Sequence, residues 1–341
     1  MSTAQTDLRN RQVLLAARPD GIPQAQHFRI AETAVPRPGP GQMLVRNQFL
    51  AVEPAMRGWV SAVANYSQPV ALDDVMRSFA AGVVVESNHP EYAAGDLVTG
   101  MFGWQDYALS DGSGVRKAPQ DDAIPLSAHL GVLGLNGLTA YLALLEIGQP
   151  KAGETVLVST AAGAVGSCVG QIAKILGCRA VGITGGPAKV ALCIDEFGYD
   201  AAIDYKAALD LGAAVHDVCP DGVDVYFDNT SGPISDAVLP QLAVGARVVI
   251  CGTASIAAWE PWPLGPRVER HLLVKRARMQ GFLAFDHAHR FGEAIAQLTE
   301  WLRAGKLRYR EDVLDGIEAA PDAIAGLYRG ENLGRRLIRL A

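Results

Sequence analysis

The chain has 341 residues, of which 49% are hydrophobic and 19% charged, with 36 glycines and a net charge of −6 at pH 7. This balance excludes a disordered chain, and the length exceeds the ~250–300 residues at which single cores stop growing, so two domains are expected. No basic stretch or interleaved aromatic and basic patch supplies the electrostatic footprint of nucleic-acid binding, so no RNA or DNA partner is expected.

The N-terminus is polar for eleven residues and then has only the short apolar run 13–17, too short for a signal core or a membrane span. A cytoplasmic protein without a membrane partner is expected. The five cysteines, Cys168, Cys178, Cys193, Cys219 and Cys251, are an odd set with no CxxC pair, as in a cytosolic fold with reduced thiols. Metal-ligand spacing is absent, so no metal site is expected.

In chain order, residues 42–52, 80–87 and 95–111 alternate short apolar runs with Pro and Gly, which predicts a compact β structure in the first 130 residues. Helical spacing begins near Ser127 and runs to Gly148, marking a candidate domain boundary. From Thr155, apolar runs at 155–160, 179–184, 201–204, 223–229 and 246–252 alternate with helical segments. Short continuous apolar strands separated by helices predict right-handed βαβ units and a doubly wound parallel sheet, the α/β Rossmann arrangement. An amphipathic helix at 291–307, a further helix at 320–329 and a final strand close the chain. The expected division is 1–130 with 296–341 as one domain and 131–295 as the other.

A dinucleotide site needs a strand ending in a tight turn, bare backbone for the pyrophosphate, and a helix N-terminus. The segment AAGAVG, residues 161–166, follows the run VLVS and opens a helix, so Gly163, Ala164, Val165 and Gly166 are candidate phosphate contacts. An NAD enzyme places Asp or Glu at the end of the next strand. Thr184, Gly185 and Gly186 stand there instead, followed by Lys189, which favours the 2′-phosphate of NADP(H).

The segments VSTAAGAVGSCVGQIAKILGCRAVGITGG (158–186), IDYK (203–206), YFDN (226–229), ICG (250–252), RMQGF (278–282), ENLGR (331–335) and EPAMRGW (53–59) together resemble a known family. It is that of the zinc-independent medium-chain dehydrogenase/reductases, in particular the leukotriene B4 dehydrogenase, prostaglandin reductase and alkenal double-bond reductase group. The resemblance runs nearly end to end. It implies a homodimer with a GroES-like N-terminal domain that uses NADPH to reduce the carbon–carbon double bond of α,β-unsaturated ketones or aldehydes. A quinone or carbonyl reductase on the same fold is the alternative, and a non-catalytic nucleotide-binding protein the third reading.

Carried over by position, the resemblance puts Lys189 and Tyr205 at the adenosine phosphate and Asn229 on the cofactor. Cys251, Gly252 and Thr253 pass its nicotinamide half, Phe282, Leu283 and Asn332 close over it, and Thr139 lies near the amide. Ordinary structural accounts stand beside these: an exposed ring for Tyr205, a turn residue for Asn229, a small core thiol for Cys251, a helix-end cap for Asn332.

Reduction leaves a proton to be delivered to the α-carbon, a task for a tyrosine or for water. The family tyrosine before MRG is replaced by Ala55, and a second one after QGF is missing, with Phe285 in that segment. Tyr66 is therefore the candidate donor, and Arg57, Trp59 and Phe285 are candidate substrate-lining residues. Asp286, His287 and His289 suggest a metal triplet at first sight, but their spacing reads better as a solvated loop.

Overall fold

The computed structural model describes residues 8–62, 66–256, 261 and 263–340, so most of the polar N-terminal segment lies outside it. Among the described residues no helix is long and apolar enough to cross a membrane. The chain divides into two compact units.

The first unit runs to Leu130 and takes back Glu311–Asn332 and the chain from Arg336. Its strands are β1 (Arg9–Leu15), β2 (Phe28–Ala34), β3 (Met43–Ala51), β4 (Ala80–Ser87), β5 (Leu97–Gly100), β6 (Tyr107–Ser110) and β7 (Arg116–Lys117). β1 and β2 form an antiparallel ribbon, while β3 is the hub of a seven-stranded sheet. β4 lies along most of β3, β6 pairs with residues 43–46, and the C-terminal strand of the chain pairs with residues 49–51. Gly82 in β4 is needed for this close approach, since a Cβ there would lie 2.2 Å from the Arg46 carbonyl oxygen. The approach sits at a register shift between Asn47 and Phe49, where a bulge bends the strand. These strands bury Val13, Leu15, Met43, Val45 and Leu50 around Trp104 from the loop between β5 and β6, and the Trp104 indole N–H is satisfied by the Ala51 carbonyl at 3.0 Å.

The second unit carries β8 (Thr155–Ser159), β9 (Arg179–Thr184), β10 (Ala201–Asp204), β11 (Val223–Asp228), β12 (Leu242–Ile250) and β13 (Arg278–Gly281). All neighbours are parallel, in the order β10-β9-β8-β11-β12-β13. The chain winds outward from β8 through β10, then returns to place β11 on the other side of β8. Ligands of such sheets sit beyond the carboxyl ends at this reversal. Leu157, Val158, Val181, Ile183, Val225 and Phe227 are fully buried, as strands covered on both faces require.

The return to the first unit comes at β14 (Glu311–Asp315) and β15 (Arg335–Arg339), not at residue 296. Two features hold 296–310 in the second unit. Helix Phe291–Arg303 turns Ala294 and Leu298 inward with no exposed surface, and Gln171 bonds the backbone of Arg308 through both ends of its side-chain amide, at 2.7 and 2.9 Å.

Candidate functional site

In the second unit the candidate residues, Thr139 apart, follow the carboxyl ends of six strands. β8 ends at Ser159, the chain reverses through Thr160 at φ 54°, and the helix Ala164–Ile175 begins. The Gly163 N–H closes the turn on the Thr160 carbonyl at 2.8 Å, and the helix ladder starts with Ser167 N–H donating to Gly163. The N–H groups of Ala164, Val165 and Gly166 precede that ladder and point outward at the helix start, as an anion requires. A Cβ on Gly166 would lie 2.3 Å from the Thr160 oxygen, so this glycine lets helix and strand pack closely. Ala161 replaces the first glycine of the usual pattern and is fully buried.

β9 ends at Thr184, and Gly185 and Gly186 (φ 94°) lead into the short helix Pro187–Ala191 that carries Lys189. Tyr205 N–H bonds the Thr184 carbonyl at 3.0 Å, which fixes the end of β10 beside this turn. A Cβ on Gly185 would lie 2.9 Å from the Tyr205 ring and 3.0 Å from the Lys206 Cε, so Lys206 brings a cation beside the turn that precedes the helix of Lys189. Asp204 is tied to the backbone of this turn: its Oδ1 accepts from Gly186 N–H at 2.8 Å and Lys206 N–H at 3.0 Å. Those bonds, that to Gly186 first, hold its carboxyl below the usual carboxylate range. Lys206 beside Gly185 and Lys189 on the following helix are cations of the kind a 2′-phosphate requires, and the turn after β8 has the bare backbone and helix start that a pyrophosphate requires.

Ser159 and β11 meet at the reversal point. Asn229 donates through its backbone N–H to Ser159 Oγ at 2.8 Å and through Nδ2 to the Ser159 carbonyl at 2.7 Å. This orients the amide, with its Nδ2 on the end of β8. Cys251 and Gly252 follow β12 and donate their N–H groups to the Asp228 carbonyl at 2.8 and 3.1 Å. The Cys251 thiol is pushed up to about 12, by burial first and by the Asp228 charge second, which argues against a nucleophile. Thr253 is exposed beyond them.

Phe282 and Leu283 follow β13, with Phe282 N–H on the Ile250 carbonyl at 3.0 Å. The Phe282 ring stacks on His287 at 5.0 Å, and His289 continues the stack at 6.4 Å. These rings are the structural use of the His–x–His segment, and among the described residues no group of three or more His, Cys, Asp or Glu could hold a metal. Phe285 is 51% exposed and lies 6.5 Å from Phe291. Its segment, Ala284–Arg290, packs against the helix Leu135–Ala143 that carries Thr139.

Arg57, Trp59, Tyr66 and Asn332 belong to the first unit. The short helix Met56–Trp59 is buried throughout, Arg57 and Trp59 each keeping 5% exposure. The loop bearing Tyr66 is tied beside it, with Val70 N–H on the Trp59 carbonyl at 2.8 Å and Arg77 Nη1 on Ser67 Oγ at 2.8 Å. Arg77 also lies over the Trp59 ring at 5.8 Å. Tyr66 is 58% exposed. Tyr328, which sequence reasoning passed over, donates its hydroxyl to the Pro54 carbonyl at 3.1 Å and sits under Arg57. Burial pushes its phenol up, and Arg57 draws it back by charge and hydrogen bond. Asn332 follows the helix Ala320–Arg329.

Comparison with known proteins agrees with this geometry. A domain family described as the N-terminal domain of oxidoreductase matches residues 11–118, and one described as zinc-binding dehydrogenase matches residues 164–300. The chain is 43% identical to an NADPH-dependent curcumin reductase of Escherichia coli over 99% of both chains. It is 37% identical to an NADP(+)-dependent 2-alkenal reductase of Nicotiana tabacum over 98% of both. The crystal structure of CurA in complex with NADPH from Vibrio vulnificus superposes with a TM-score of 0.92 at 43% identity, covering 97% of this chain and 99% of the other. The chain therefore belongs to the zinc-independent medium-chain dehydrogenase/reductases, within their alkenal and prostaglandin reductase family.

Proposed function

We propose that the protein uses NADPH to reduce the carbon–carbon double bond of α,β-unsaturated ketones or aldehydes. The observation that carries this is the turn Gly185–Gly186, with Lys206 beside it and Lys189 on the helix that follows, in a chain 43% identical over 99% of its length to an NADPH-dependent curcumin reductase. NADPH, when bound, supplies a hydride to the β-carbon of the substrate.

The chain's own groups have distinct tasks in this reading. The N–H groups of Ala164, Val165 and Gly166, beyond Gly163, hold the pyrophosphate, while Lys189, Tyr205 and Lys206 hold the 2′-phosphate near Thr184 and Gly185. Asn229 offers its Oδ1 to a hydroxyl donor of the cofactor. Thr139, Cys251, Gly252, Thr253, Phe282, Leu283 and Asn332 shape its nicotinamide half. Tyr66 delivers the proton to the α-carbon, for which its exposed phenol is suited. Arg57, Trp59 and Phe285 contact the substrate.

The protein acts as a homodimer in the cytoplasm in this reading. Support for the dimer comes from the outer edge of β13, which among the described residues has a strand on one side only, and from the exposed apolar side chains Leu264, Leu273 and Val274 in the segment before it. Support for the compartment comes from five free thiols.

The test is a panel of enals, enones and quinones assayed with NADPH and purified protein, with product identity read by mass. Saturated ketones or aldehydes are the expected products. Hydroquinones or allylic alcohols without double-bond reduction would overturn the assignment.

A further inference from the structure

Asp228 ends β11 with 1% of its surface exposed, at the carboxyl end of the sheet where β8 and β11 meet. Its Oδ1 accepts the backbone N–H groups of Thr230 at 2.9 Å and Ser231 at 2.8 Å. The hydroxyls of Tyr226, Ser159 and Thr230 reach the same oxygen at 3.0, 3.2 and 3.2 Å, and Ser235 Oγ donates to Oδ2. An acid in the interior of an apolar sheet is costly unless its acceptors are filled, and here every donor comes from the carboxyl-end turn or the strands and helix flanking it.

Ser231 explains what this network restrains. Its backbone stands at φ 56° and ψ −164°, a region that glycine occupies almost alone. Besides the bond from its N–H to Asp228, its Oγ donates to the Gly252 carbonyl at 3.1 Å and its carbonyl accepts from Ser255 Oγ at 2.6 Å. Ser255 Oγ also reaches the Thr230 carbonyl at 2.8 Å. The turn is thus held from below by a carboxylate and from the side by a hydroxyl, in a conformation that a serine does not adopt unaided. Asn229, whose Nδ2 is bonded to the Ser159 carbonyl at the end of β8, is the residue between Asp228 and this clamped turn.

The geometry points to Asp228 as a positioning residue for NADP(H): it clamps the strained turn 229–231 and so aims Asn229 at the cofactor. The inference rests on the reading that Asn229 contacts the cofactor. Asp228 itself touches no reacting atom. Its effect passes through the two backbone N–H groups, which can only donate and so require an oxygen at that place.

The experiment measures the NADPH dissociation constant by fluorescence titration, with kcat at saturating cofactor read separately. Asp228→Ala is expected to weaken NADPH binding tenfold or more, with a smaller loss in kcat. Asp228→Asn, which keeps an oxygen for both N–H groups, recovers most of that affinity. In a Ser231→Gly background, where the turn carries no strain, the loss caused by Asp228→Ala shrinks to threefold or less. Equal losses in both backgrounds, or no loss at all, would overturn the clamp. Should Asp228→Ala fail to fold, hydrogen exchange of the unaltered protein decides: Thr230 and Ser231 amides exchange as slowly as those of β11 if the clamp holds, and exchange at loop rates overturns it. Asn229→Ala separates the two readings, because unchanged NADPH affinity there removes the cofactor contact, and with it the clamp's role toward NADP(H).

Discussion

Arg57 carries its guanidinium carbon 5.8 Å from the centre of the Tyr328 ring, and the Tyr328 hydroxyl donates to the carbonyl of Pro54. Helix Ala320–Arg329 thereby brings a phenol ring to the segment where Ala55 replaces the family tyrosine. Arg57 is 5% exposed, and a cation desolvated over an aromatic face is stabilised by about 2 kcal/mol. Tyr328→Phe keeps the ring and loses the hydroxyl's bonds with the Pro54 carbonyl and Arg57, about 1 kcal/mol each. Tyr328→Leu loses the ring as well. The expected order of melting temperature is wild type, then Phe, then Leu, and equal melting of the two variants would remove the ring–cation contact from the account.

Tyr66→Phe tests the proton donor. Turnover with an enone is expected to fall at least tenfold while NADPH affinity stays as it was, because only the phenolic proton is removed. Retained turnover would assign the proton to water or to another phenol, and Tyr328→Phe, measured alongside, distinguishes these.

Lys189→Ala is expected to raise the Michaelis constant for NADPH about 10 to 100-fold, the worth of about 1.5–3 kcal/mol for a charge-assisted bond, and to leave NADH use nearly unchanged. Lys206→Ala should act in the same direction, and the double variant should bring the two cofactors close to parity. An equal effect on NADPH and NADH would take both lysines off the 2′-phosphate.

The strand, turn and helix start proposed for the pyrophosphate were legible in sequence as structure because they fall within one short window, 155–166. The acid-free end of β9 was legible for the same reason. Asp228 was harder: the run VDVYFDN holds two acids, and only the fold separates Asp224, whose Oδ2 takes the Thr155 N–H at 2.8 Å at the entrance of the sheet, from Asp228 at the reversal point. Tyr328 and the triple pairing of β3 join segments far apart in the chain, which no local pattern reports. The return at Glu311 rather than residue 296 depended on Leu298 and Gln171, whose partners lie in other elements.

Cys251 gives a pH-dependent prediction. With its thiol pushed up to about 12, about one in ten thousand is ionised at pH 8, against about one in four for an ordinary thiol near 8.5. The thiolate is the reactive form, so alkylation by iodoacetamide should be very slow at pH 8 and rise about tenfold for each pH unit until the thiol titrates. Mass spectrometry of the labelled native protein checks this, and rapid modification of Cys251 at pH 8 would contradict it.

Gly166→Ala probes the phosphate turn through packing alone. The new methyl meets the Thr160 oxygen at 2.3 Å and the Ala161 Cα at 2.9 Å, both backbone atoms that no rotamer change can move aside. The helix Ala164–Ile175 must therefore back away from the end of β8. Overpacking of this kind costs about 1–3 kcal/mol, which lowers the melting temperature. The same shift draws the N–H groups of Ala164 and Val165 out of line with the pyrophosphate, so NADPH and NADH should both bind more weakly. That shared loss separates this variant from Lys189→Ala, which affects NADPH alone. A variant that melts lower but binds both cofactors normally would place the pyrophosphate elsewhere than at this helix.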